Sequence, residues 1–453
     1  MNPSKNKLYT NIACCIFFLT YLIVAFCDYN NWGIDALLYA GRVVRGDCGN
    51  HASLVTFEGI ALHRFISLFW SGISGTAILR IFWLVSTFII AICGCAWIRM
   101  VARSDVKNLL MVVPMCLMLC FLKYFGYFAY AYRMDYFFLC AIAISITCVL
   151  LLREIRGKGK FVVIALLIIT LLHIPYLRTN AAILIPFLVY FAIATMGRTY
   201  SFIKKMLCSA IITIAVFMGV HLLSMLLPFR TMDAAIAGSE LKIAAVFRDD
   251  FKRLEEEFAN VGYQFPKKNQ DNSYQLLRPE FFVNKLTVET SEDKSNSVKT
   301  LYFSHWQSNT ESMLYARMVQ SFYFLHAGYV PEFIREIVQE RYPHILSNSE
   351  LWNWEGVEKS KVKQYIRPTL YLLAMIIFCA CCRRGIGSCY NKLFAALLSF
   401  LALLYIASFF VFIPTPDSRF HAPSLYLICW PVALSFSNII IKLKKKVFGS
   451  NCT

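Results

Sequence analysis

Four acidic residues follow the first apolar run of the chain, and arginines recur where later apolar runs begin or end. The acids fall in Cys27–Trp70, which reads CDYNNWGIDALLYAGRVVRGDCGNHASLVTFEGIALHRFISLFW and carries Asp28, Asp35, Asp47 and then Glu58. A carboxylate held at a membrane edge can take a proton from the hydroxyl of a lipid-borne substrate. Solvated loop acids are the plainer alternative. The arginines are Arg133 in YAYRMDYFF, Arg178 in IPYLRTNAAILIP and Arg419 in IPTPDSRFHAP. A planar guanidinium grips phosphate oxygens in two places, so three of them at one membrane face suit a phosphate or pyrophosphate. Snorkelling to lipid headgroups is the alternative for each. Lys123 is a weaker further candidate. Asp135 and Asp417 stand next to Arg133 and Arg419 in sequence and are read as their ion-pair partners.

The segments that must position these groups are helical in pattern. From Asp35, Leu37, Leu38, Val43 and Val44 fall at mostly helical spacing. From Leu54, Phe57, Ile60, Ala61, Phe65, Leu68 and Phe69 recur at steps of three and four, with His63 and Arg64 off the stripe. Both read as helices lying in the membrane interface, apolar side down.

The rest of the chain is built for a bilayer. Of 453 residues, 58% are hydrophobic and 16% charged, and the mean hydropathy is +0.56. Long runs with few charges recur, which marks an all-α polytopic membrane protein and excludes a soluble enzyme. Candidate membrane helices are 8–27, 76–98, 108–123, 134–152, 161–177, 181–197, 206–227, 367–382, 393–413 and 421–441. The first lacks a small-residue cleavage site and reads as a retained helix. The net charge of +18 does not point to nucleic acid, because the Lys and Arg cluster at the ends of apolar runs. Arg99, Arg103 and Lys107, then Arg153 to Lys160, Arg198 to Lys205, Arg383 to Lys392 and Lys442 to Lys446 follow every second helix, and Lys5 and Lys7 precede the first. That alternation predicts both termini in the cytoplasm and residues 28–75 outside.

Three parts follow: a transmembrane module 1–227 with its first outside loop, an extracytoplasmic soluble domain 228–366, and C-terminal membrane helices with a basic tail, 367–453. Within the domain, AVFRDDFKRLEEEF reads as one solvated helix, NKLTVETSEDKSNSVKT as a polar loop, and SMLYARMVQSFYFLHAGYVPEFIREIVQERY as a helix pair broken before Pro331. Tyr302, Trp306, Trp352 and Trp354 are candidate sugar-stacking faces, although core burial is the expected fate of most of them. His173 and His221 lie in apolar runs and read as packing residues. His51, His63 and His421 have no metal-site spacing, and the 17 cysteines show no metal framework. A Cys27–Cys48 bridge is sterically open but has no support in the sequence. No P-loop, dinucleotide signature, GxSxG or HExxH is present, which argues against an ATP-driven pump or a common hydrolase.

The layout resembles the GT-C class of membrane glycosyltransferases. GIDALLYAGRVVRGD resembles the first-loop segment that carries their catalytic acid, LRTNAAILIPFL resembles an Arg-containing turn of several bacterial branches, and DSRFHAPSLYL resembles the start of a late helix. The overall build is similar to the serotype-converting glucosyltransferases that modify O-antigen. The resemblance implies inverting transfer of a hexose, glucose for choice, from a polyprenyl-phosphate donor to a cell-surface glycan or lipid-linked acceptor, at the periplasmic face of a bacterial inner membrane. It implies Asp35 as base with Asp28 or Asp47 assisting, Arg178, Arg419 and Arg133 on the donor phosphate, and Trp306, Trp352 and Trp354 on the acceptor. The paired Asp-Glu often seen in the first loop is absent, since Ala36 follows Asp35, and the base stays open among Asp28, Asp35 and Asp47. No cofactor is certain, and a divalent cation is possible. An O-antigen polymerase or ligase is one alternative and a lipid-linked glycan flippase or transporter another.

Overall fold

A computed structural model describes residues 3–27, 29, 34–46, 54–101, 105–124, 134–196, 200–226, 234–260, 292–326, 329–345, 350–352, 361–383, 390–412 and 421–448. Among these, the secondary structure is helical and no β-strand occurs. The helices are α1 (Pro3–Phe26), α2 (Ile34–Arg45), α3 (Leu54–Ser67), α4 (Gly75–Val101), α5 (Asp105–Tyr124), α6 (Met134–Leu151), α7 (Gly159–Leu177), α8 (Ile185–Met196) and α9 (Phe202–Leu226). They continue as α10 (Ala234–Phe247), α11 (Phe251–Asn260), α12 (Glu292–Ser308), α13 (Thr310–Leu325), α14 (Glu332–Arg341), α15 (Lys361–Arg383), α16 (Tyr390–Phe412) and α17 (Ala422–Phe448). Among the described residues, eight helical stretches are long and apolar enough to cross a membrane, and Leu109–Tyr124 and Asp135–Leu151 are shorter apolar helices. The protein is therefore an all-α, multi-pass membrane protein.

The chain divides into two compact units. The first comprises Met1–Arg230, Leu370–Ile406 and Arg419–Thr453; the second comprises Thr231–Thr369 and Ala407–Ser418.

Aromatic side chains fill the interior of the first unit: Phe17, Tyr21, Trp83, Trp97, Tyr426 and Trp430 are almost wholly buried. Tyr21 and Trp97 place their polar ends against partners. The Tyr21 and Tyr136 hydroxyls lie 3.0 Å apart, Thr87 Oγ1 lies 2.9 Å from the Tyr136 hydroxyl, and Trp97 Nε1 donates to Thr147 Oγ1 at 2.8 Å. Small residues set the helix spacing. A Cβ at Gly94 would stand 2.2 Å from the Phe17 ring, and one at Gly75 would stand 2.0 Å from the Ala40 carbonyl oxygen. Gly75 thus lets α2 cross directly over the first turn of α4. Gly59 does the same for α3, where a Cβ would meet Val43 of α2 at 2.8 Å. Gly46, at φ +66°, ends α2 in the left-handed conformation that favours glycine.

The second unit has its own core, which includes Leu241, Phe247, Phe258, Val319, Tyr323 and Trp352. Two sequence expectations need correction here. AVFRDDFKRLEEEF is not one helix: α10 ends at Phe247, and Asp249 at φ 54° turns the chain before α11 starts at Phe251. The Asp250 amide donates to Ala245 O and that of Asp249 to Val246 O, a hydrogen-bonded helix stop that the i, i+4 charge pattern conceals. The expected polar loop also becomes helix from Glu292 onward. The break before Pro331 is present, with Pro331 immediately preceding α14.

Candidate functional site

Glu58 lies on the second helix of the first loop. Positions 54, 58, 61 and 65 share one helical face, so this carboxylate interrupts the apolar stripe rather than the polar face. α3 touches α7 at Glu58, whose Oε1 lies 2.7 Å from His173 Nε2. The other ring nitrogen, Nδ1, lies 2.7 Å from the Ile169 carbonyl oxygen one turn earlier on α7. The Glu58 side chain is 40% exposed and that of His173 29%. His63, also on α3, ties the helix to the start of α4 through Nε2, 3.1 Å from Ile73 O.

Arg178 follows α7 little more than one turn beyond His173. Its amide still donates to Ile174 O at 2.9 Å, but its backbone is extended, and a 3₁₀ turn, Thr179–Leu184, leads straight into α8. The side chain donates through Nη2 to Asp135 Oδ2 at the first turn of α6. Asp135 is buried, and its second oxygen, Oδ1, has no hydrogen-bond partner among the described residues. Asp135 therefore serves Arg178, although its sequence neighbour is Arg133. These bonds gather α3, the starts of α4 and α6 and the end of α7 at one end of the helix bundle. The opposite end is marked by Arg99 Nη2 donating to Asn11 Oδ1 at 3.3 Å.

The second unit carries a different polar cluster. Arg317 of α13 donates through Nε to both carboxylate oxygens of Glu240 at 3.0 Å, and through Nη1 to Phe410 O and Val411 O at 2.8 and 2.9 Å. Tyr302 donates to Glu240 Oε2 at 3.0 Å and accepts from Arg317 Nη2. Burial raises the Glu240 carboxyl above its ordinary range, outweighing the opposing pull of Arg317. Burial likewise lowers the Lys242 ammonium to about 7. A third group joins Arg248, Asp250, Glu257 and His305: His305 Nε2 donates to Glu257 Oε2 at 2.6 Å, while Asn309 Nδ2 lies 3.1 Å and Arg248 Nη2 3.5 Å from its Nδ1.

The expected site residues fall out unevenly. Asp35 lies in the first turn of α2, Arg178 is placed as above, and Lys123 ends α5 half-buried. Asp28, Asp47, Arg133, Arg419, Asp417 and Trp354 lie outside the described residues, as does Cys48, the other half of the Cys27 question. Trp352 is a core residue at 1% exposure, so packing and not a sugar face is its role. Trp306 is half-buried, with the Arg317 guanidinium 5.6 Å from its ring centroid. Among the described residues, no group of three His, Cys, Asp or Glu side chains could hold a metal ion. Glu58 and His173 are the pair that sequence reasoning passed over. The available signal was a carboxylate on the apolar stripe of α3, together with a histidine in an apolar helix shortly before an arginine.

No family model, curated protein or solved structure matches this chain.

Proposed function

We propose that the chain is a GT-C-type glycosyltransferase of a bacterial inner membrane, with cytoplasmic termini and its site on the periplasmic face. It moves a hexose, glucose for choice, from a polyprenyl-phosphate donor to a cell-surface glycan or lipid-linked acceptor, with inversion at the sugar. The observation that carries this reading is the end of α7: a carboxylate from the first loop sits against His173, and Arg178 follows within a short step, held by Asp135. Inverting transfer needs a base for the acceptor hydroxyl and cations for the departing phosphate. In this reading the first-loop acids supply the base, with Asp35, Asp28, Asp47 and Glu58 as the candidates. Arg178 turns its guanidinium to the donor phosphate, joined by Arg133 and Arg419. The amphipathic α2 and α3 lie in the interface and shape the lipid groove.

One observation favours a second reading, a flippase or other transporter of lipid-linked glycan: a carboxylate–histidine pair suits proton coupling. The place of His173 near the end of α7, rather than at mid-helix, favours the transferase.

The test is transfer from polyprenyl-phosphate glucose to lipid-linked or lipopolysaccharide glycan by the purified protein, beside Asp35→Asn and Arg178→Ala. Transfer by the wild type, lost in folded Arg178→Ala, supports the reading. Absence of transfer from every polyprenyl-phosphate sugar tried contradicts it. Transfer that survives Asp35→Asn moves the base to another first-loop acid.

A further inference from the structure

Counting protons around His173 gives a result that neither the sequence nor the proposed function contains. The Ile169 carbonyl can only accept, so Nδ1 of His173 carries a hydrogen. A neutral imidazole has then used its one N–H, which leaves a lone pair on Nε2. That lone pair faces Glu58 Oε1 at 2.7 Å. An ionised carboxylate offers only lone pairs in return. Two lone pairs at this distance repel, and a proton between them turns the contact into a strong, charge-assisted hydrogen bond. The described geometry is thus that of a pair holding one proton more than a carboxylate and a neutral imidazole hold together. Written as imidazolium with carboxylate, or as imidazole with carboxylic acid, the pair has zero net charge. That suits a group beside the apolar face of a membrane helix.

We infer that Glu58 and His173 form a proton-holding station that exchanges its proton with the hydroxyl of a bound acceptor. This rests on the proposed function for the identity of the acceptor, though not for the proton itself. Before transfer the resting proton leaves to water through the half-exposed Glu58; in that empty form bare Oε1 and bare Nε2 face each other, which makes the pair a strong base. During transfer the acceptor O–H bond breaks and its proton lodges between Glu58 and His173. The freed electron pair of the oxygen forms the new bond to the anomeric carbon. The bond from that carbon to the phosphate oxygen breaks, its electron pair leaves on the polyprenyl phosphate, and Arg178 stands nearby to meet the charge. The half-exposed Glu58 then returns the proton to water. Glu58 is the catalytic group in this scheme and His173 its positioning partner. The other titratable or cationic groups on helices packed against α7 are His63 and Arg64 of α3, Asp135, Tyr136, Cys140 and Cys148 of α6, and Lys204, Lys205, Cys208 and His221 of α9. Of these, Asp135 is engaged by Arg178 and His63 lies against Ile73 O.

Two measurements on the full chain in lipid nanodiscs test this. The first does not depend on activity: ¹⁵N spectra of labelled histidine, assigned through His173→Gln, combined with infrared spectra near neutral pH. The station predicts either a doubly protonated His173 ring or a protonated carboxyl band, and loss of that signature in Glu58→Gln. A singly protonated His173 ring beside an ionised Glu58 overturns the inference. The second is hexose transfer. Glu58→Gln is expected to lose about a hundredfold or more in kcat with little change in KM, a general base being worth roughly 10²–10⁴. Glu58→Asp should recover part of that loss, which a purely structural role would not give. Full activity in a folded Glu58→Gln overturns the catalytic part while wild-type transfer leaves the proposed function standing. A wild type inactive on all donors sinks the proposed function, and the spectra still decide the proton.

Discussion

Among the described residues the same two residue types meet twice, with proton inventories that differ by one. In the membrane unit, Glu58 meets His173; in the second unit, Glu257 meets His305, at nearly the same separation. The difference lies on the far side of the ring. Nδ1 of His173 faces a carbonyl acceptor, whereas Nδ1 of His305 faces the donors Asn309 Nδ2 and Arg248 Nη2. Donors on one side and a carboxylate on the other suit a neutral ring with its hydrogen on Nε2, and nothing more is needed. Acceptors on both sides demand an extra proton. A carboxylate–histidine contact therefore says little about chemistry until the second ring nitrogen has been accounted for.

The comparison can be broken most sharply at the carboxylates. Glu58→Gln is expected to cut transfer by about 10²–10⁴-fold, and Glu257→Gln to leave it unchanged, since it alters no reacting group. Rates measured side by side on folded protein check this, and equal losses would remove the distinction.

Stability separates the two units next. Arg317 spans a fully buried Glu240 and the last turn of α16, so Arg317→Ala strands a buried carboxylate. Breaking such a pair costs about 3–5 kcal/mol, which denaturant unfolding followed through the second unit would register. Asn309→Ala removes one donor from His305 and should cost about 1 kcal/mol by the same measurement.

Lys242 supplies a pH signature. Its folded value of about 7 lies below the ordinary 10.5, so between these values the unfolded chain binds more protons. Stability from this residue therefore rises with pH across that window, and the penalty is complete below about 7. The advantage of Lys242→Met over the wild type should shrink as pH is raised from 7 towards 10, read as the difference in thermal midpoints. The smallest effect belongs to Arg341→Ala: its bidentate bond to Glu311 lies at the surface, and no measurable change in midpoint is expected.

Much of the architecture was legible from residue pattern, because apolar runs of bilayer length can do little else but form helices. The run from Asp35 gave α2 and the stripe from Leu54 gave α3, because apolar residues at helical spacing line one face of a helix. The stop at Asp249 was hidden, because solvated charges at helical spacing say nothing about a residue that turns the chain. Of the candidate site, Arg178 could be read directly, since a cation in a two-helix turn is conspicuous. Its partner could not: Asp135 is far away in sequence and adjacent to a different arginine. Glu58 and His173 looked like a solvated acid and a packing histidine. Only the contact of α3 with α7 joins them, and that is a tertiary fact that local spacing does not encode.

The most direct measurement takes both histidines in one sample. In the ¹⁵N spectrum of histidine-labelled full-length protein near neutral pH, with infrared data on the same preparation, His305 should show a single hydrogen, on Nε2. The His173–Glu58 pair should show its additional proton, on the ring or on the carboxyl. Finding His173 singly protonated beside an ionised Glu58, like the pair in the second unit, would contradict the account.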